Sequence, residues 1–78
     1  MSTVYVAMIC DRHADPEPYV FSSGAAAIEY ARKKAHDGAH KPEDVEETPI
    51  PGWLYYAAYS SEGDAVWVVE KEVDGHER

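Results

Sequence analysis

The stretch TVYVAMIC, residues 3–10, is apolar at every position after Thr3. Its length and composition predict a β-strand. Alternation along it gives two faces, Val4, Val6, Met8 and Cys10 on one and Tyr5, Ala7 and Ile9 on the other. Neither face is suited to water, and a strand of this kind is normally covered on both sides. The chain has only 78 residues with which to cover it. That is one domain near the lower size limit for a self-sufficient core. At this length the usual supports are disulfides, a structural metal or a partner subunit. Cys10 is the only cysteine, so an internal disulfide is impossible.

The remaining segments fall into a short order of elements. Residues 11–18 (DRHADPEP) are a turn, because Pro16 and Pro18 fix their own backbone and push Asp15 and Glu17 towards extended geometry. Residues 19–21 follow as a short extended piece suited to a sheet edge. Ser22 and Ser23 mark a helix start, with Phe21 placed to pack on Ala26 or Ala27. The pattern of residues 24–37 is helical, with Ala27, Ile28, Ala31 and Ala35 as its apolar stripe and Gly38 as its stop. Glu29 and Lys33 stand four apart in the favourable order.

Residues 39–52 carry three prolines and a run of acids, and read as a connector. Pro42 can begin one helical turn there, and Val45 and Ile50 are its expected anchors. Residues 53–60 and 65–73 are the clearest strands, rich in aromatic and β-branched side chains. Ser61-Glu62-Gly63-Asp64 joins them as a hairpin turn. Alternation puts Trp53, Tyr55, Ala57 and Tyr59 on one face, and Trp67, Val69 and Lys71 opposite Val66 and Val68. Residues 74–78 are a polar tail.

The expected fold is α+β: a small three- to four-stranded antiparallel sheet with one helix packed on one face, in the order β-(β)-α-β-β. One helix covers one face only. The other face is expected to carry Tyr5 and Ile9 with a set drawn from Trp53, Tyr55, Tyr59 and Trp67. Because both faces are apolar, the pattern does not choose between them. An aromatic patch of that size on a small monomer is unusual. Homodimerisation through it is the favoured expectation, and a groove for another protein or a flat ligand is the other.

Charge narrows the partners. There are 7 basic and 15 acidic residues, a formal net charge of -8. Nucleic-acid binding depends on neutralising phosphates, and docking on anionic membranes on basic residues, so neither is expected. No apolar run approaches the roughly 20 residues of a membrane span. The apolar start lacks a basic leader region, and with a lone thiol this suggests the cytoplasm. The acids Glu43, Asp44, Glu46 and Glu47 offer a charged contact for a basic partner.

The densest polar chemistry lies at Asp11, Arg12, His13 and Asp15. If the strand continued through them, Asp11, His13 and Asp15 would point the same way and could hold a divalent cation. Arg12 could grip a phosphate or carboxylate while His13 reads it. The simpler reading is a turn whose acids bond nearby backbone N–H groups. A metal would want a further ligand, and only His36 and His40 offer an imidazole nearby in type, though nothing places them close. Cys10 beside His13 suggests a nucleophile, but the acids around it would raise the thiol pKa, and a buried strand-end residue is preferred. Glu70 and Glu72 flank Lys71 as a solvated strand end. There is no phosphate-binding glycine loop, zinc-protease motif or nucleophile elbow. No catalytic residue, cofactor or metal is therefore expected.

The joined pattern DRHADPEPYVFSSGAAAIEYARKKA and GWLYYAAYSSEGDAVWVVEKE resembles small uncharacterised proteins of actinobacteria, haloarchaea and their phages. The resemblance spans roughly residues 4–73. It implies context only: a prokaryotic or viral, cytoplasmic accessory or interaction protein, with no role carried to any residue. The favoured expectation is a non-enzymatic interaction module, homodimeric and binding another protein, in a phage setting a blocker of a host protein. Its contact residues are Tyr5, Tyr55, Tyr59 and Trp67 for apolar contact and Glu43, Asp44, Glu46 and Glu47 for charge. The alternative is a ligand- or metal-binding module at Asp11, Arg12, His13 and Asp15. A small enzyme using His13 as general base comes third.

Overall fold

A computed structural model describes residues 2–11, 15–60 and 63–73. These build β1 (Ser2–Cys10), β2 (Glu17–Phe21), α1 (Gly24–Gly38), a 3-10 turn at Pro42–Asp44, β3 (Glu46–Glu47), β4 (Tyr55–Ala58) and β5 (Ala65–Val73). The strands form one antiparallel sheet in the order β2-β1-β5-β4-β3. The fold is α+β, as expected. The sheet gains a fifth strand because the acidic connector donates Glu46 and Glu47 to its edge, opposite Ala58 and Ala57.

β1 lies inside the sheet, paired along its whole length with β5 and over five positions with β2. That place accounts for its two apolar faces. Pro18 stands opposite Met8 in β2, which is an edge strand where the missing N–H leaves no inner ladder broken.

The helix begins where the serine pair predicts. Ser23 is extended and its Oγ accepts the Ala26 N–H at 3.3 Å. Phe21 packs against the buried cluster that includes Ala27. Its ring packs on Tyr30 at 5.4 Å, with Tyr19 on the same ring at 5.0 Å. In α1 the described ion pair is Lys33 with Asp37 at 3.6 Å, in place of the expected Glu29 with Lys33.

Ala27, Ala31 and Ala35 are fully buried and let the helix lie close on the sheet. They meet Ala7, Tyr55, Ala57, Tyr59, Val66 and Val68. Register then fixes the faces. Tyr5, Ala7 and Ile9 share the helix side with Phe21, Tyr19, Val66 and Val68. Val4, Val6, Met8, Cys10, Val20, Tyr56, Ala58, Trp67, Val69 and Lys71 point the other way.

This corrects one expectation. Tyr5 and Ile9 belong to the covered face, and the smaller aliphatic set of β1 lies on the open one. The choice was decided by the alanine stripe, which needs the small Ala7 and Ala57 beneath it.

Trp53 is corrected too. The strand starts only at Tyr55, and a turn precedes it: the Trp53 N–H donates to the Ile50 carbonyl at 3.1 Å, and Gly52 has φ +88°. Proline then glycine with positive φ, inside such a hydrogen bond, is a type II turn. It breaks the alternation, and the indole lands on the face opposite Tyr55. At the other end the Tyr59 N–H donates to the Asp64 carbonyl at 3.0 Å, and Gly63 has φ +100°. Ser61, Glu62 and residues 74–78 lie outside the described residues.

Candidate functional site

The uncovered sheet face carries the largest unexplained chemistry. Its centre is an aromatic group made by three segments. Trp53 stacks on Trp67 at 5.4 Å and 23°, and Tyr56 lies 6.5 Å from Trp67 at the same angle. Trp53 and Tyr56 are 6.0 Å apart. Tyr56 and Trp67 are direct cross-strand partners, and Met8 is the partner of Trp67 on its other side. The next row holds Val69, Val6 and Val20. Val20 is 64% exposed and Trp53 39% exposed, so the patch opens to solvent over much of its width. Among the described strand residues the charges on this face are Lys71 at one end and Glu46 at the other.

The expected contact residues separate. Trp67 lies on the open face. Tyr5, Tyr55 and Tyr59 do not join it: Tyr55 is 9% exposed and Tyr59 5%, both within the core beneath α1. Tyr5 packs its ring against Gly24 at the start of the helix. Strand alternation had these sets right within β4, but the turn before it moved Trp53 across.

The acids separate as well. Glu43, Asp44 and Glu46 line an open cleft of about 810 Å³ with Asp11, His40 and Asp64. Its apolar floor comes from Val45, Ala58 and Tyr59. Asp64, expected in the hairpin turn, is 7% exposed. Burial first, then the neighbouring charges of Asp11 and Asp64, push the Tyr59 hydroxyl above its ordinary pKa of 10.0.

Glu47 turns to the helix side. The Tyr55 Oη donates to Glu47 Oε2 at 2.6 Å, and Arg32 Nε donates to the same oxygen at 3.2 Å. The Arg32 guanidinium also sits 5.3 Å from the centre of the Tyr55 ring. The Tyr55 hydrogen bond, then that of Arg32, holds the Glu47 carboxyl below its ordinary value. Burial, with Glu47 as acceptor second, pushes Tyr55 up to about 12. This group fastens the edge strand to the helix. Register places it there: Glu47 stands opposite Ala57 and so on the helix side.

At the DRHAD turn, Asp11 faces the acidic cleft and Asp15 is exposed and does not line it. Arg12 and His13 lie outside the described residues, so that candidate site is only half described. Among the described residues no group of His, Cys, Asp and Glu is arranged to hold a metal ion. No described helix is long and apolar enough to cross a membrane. No family model matches this chain, and neither does any curated protein or solved structure.

Proposed function

We propose that this chain is a small acidic interaction module, without catalysis of its own, that works as a homodimer in the cytoplasm and binds another protein. The open aromatic face of the sheet is the observation that carries this reading. A chain of this length leaves Trp53 and Val20 exposed and Trp67, Tyr56, Met8, Val6 and Val69 half-buried on one side of its only described sheet. Aromatic residues and methionine are enriched at the cores of interfaces, and a second subunit is a usual support for a core this small. Burying that face against a copy supplies the second cover that β1 lacks.

The acidic cleft suits the second partner. Asp11, Glu43, Asp44, Glu46 and Asp64 converge there beside an apolar floor, on a chain of net charge -8. A basic protein segment is the chemistry that complements it.

Both tryptophans of the chain lie on the proposed dimer face, so their emission reports on it directly. On dilution from high concentration the emission is expected to move to the red as the face becomes wet. Emission typical of water-exposed indole at every concentration would contradict the reading.

A further inference from the structure

Among the described strand residues two charges lie on the open face, and they define one way for two copies to meet. Lys71 and Glu46 lie on the same side of the sheet, at opposite ends of its apolar rows. Lys71 pairs with Val4 in the row beyond Val69 and Val6, and Glu46 pairs with Ala58, in the row of Ala65 and Cys10. Six residues of β5 separate the two rows, about 20 Å along the strands, and two strand spacings separate them sideways, about 10 Å. A two-fold axis lying in the interface exchanges two points if it bisects the line between them at a right angle. The midpoint of the line from Lys71 to Glu46 falls on β4 level with Val68, whose partner there is Tyr55. On the open face that spot belongs to Tyr56, the neighbour of Trp53 and Trp67.

We infer that the second copy docks on this face with its strands crossing those of the first obliquely, about 50° from antiparallel on the offsets above, so that Lys71 of each copy meets Glu46 of the other and the Trp53-Tyr56-Trp67 group lies on the two-fold axis. The inference rests on the homodimer reading above and adds its orientation. Two features agree on this arrangement. The large rings meet at the centre, where interface energy concentrates, and the charged groups meet at the rim. The apolar rows span about four strands by about 20 Å, roughly 400 Å² in projection and more with side-chain relief. The lower bound for a specific interface is about 500 Å² per partner. A dimer of this size is modest in affinity, so a rim pair occurring twice by symmetry changes it measurably.

The test is sedimentation equilibrium on the full chain and on K71E, E46K and the double variant, each checked for an unchanged circular dichroism spectrum. Both residues are exposed, so the fold tolerates the exchanges. K71E and E46K are each expected to weaken the dimer about ten-fold, and the double variant to restore it, as for two exposed ion pairs turned repulsive. E46K is the decisive arm. If net charge alone governed association, replacing an acid in a chain of charge -8 would tighten the dimer. A tighter or unchanged E46K dimer, or a double variant no better than the singles, overturns the orientation and leaves the dimer standing. A wild-type chain that is monomeric throughout overturns both.

Discussion

At the scale of single residues, Glu47 is the most instructive side chain. It was read as one acid in a run of four, and the run divides by strand parity into Glu46 on the open side and Glu47 on the helix side. Glu47 then takes two donors on one oxygen, Tyr55 at 2.6 Å and Arg32 at 3.2 Å. Its carboxyl is held below the ordinary value of 4.5, so the folded chain releases that proton more readily than the unfolded chain. The stabilisation is therefore complete above pH 4.5 and fades as the pH falls through the lowered value. The Arg32–Glu47 pair is about half exposed, which keeps the effect modest. Glu47→Gln is expected to cost about 1 kcal/mol at neutral pH, about 4–8 °C in melting temperature. The melting curves of variant and wild type should converge on acidification. Parallel pH profiles would show that this carboxylate does not couple to folding. The sequence could not announce this group, because its members lie on a helix, an edge strand and an inner strand whose register no local pattern states.

At the scale of elements, α1 was the most legible part of the chain and Gly38 its least understood residue. The serine cap, the alanine stripe and the helix end were all readable from spacing. Gly38 reads as the helix stop and is the last helical residue, and the reason for glycine there is contact. A β-carbon there would lie 2.7 Å from Tyr59 Cε2, on a ring held in the core. At Gly24 the same atom would be 3.4 Å from the Tyr5 ring, an ordinary contact. Gly38→Ala is expected to lose about 1–2 kcal/mol, the overpacking cost being partly offset by better helix propensity. Gly24→Ala should be neutral or slightly stabilising. Equal effects of the two, measured by urea denaturation, would remove the contact explanation. The strands were legible in type and less so in extent. Trp53 was counted into β4 because its aromatic neighbours continue the pattern, while the Pro51-Gly52 pair that breaks the strand was visible but was absorbed into the connector. That one turn moves the largest side chain from the covered face to the open face.

At the scale of the molecule, the architecture follows from a shortage of cover. β1 has apolar side chains on both faces, and α1 covers one of them. The face left open could not be chosen from the sequence, since both sets are apolar and the decision rests on which set has small residues beneath the helix. Ala7 and Ala57 made the Tyr5 side the covered one. The open face that results is flatter and more aliphatic than expected from β1, with its aromatic weight gathered on β4, β5 and the turn before them. Asp11, Glu43, Asp44, Glu46 and Asp64 gather at one end of the sheet, and among the described strand residues Lys71 is the charge at the other end of the open face. Self-association through that face is the central claim. Light scattering coupled to size exclusion tests it most directly, over a concentration series of the full chain. A molar mass approaching twice 8.7 kDa is expected as concentration rises. A mass that stays at 8.7 kDa to the highest concentration reached would contradict it.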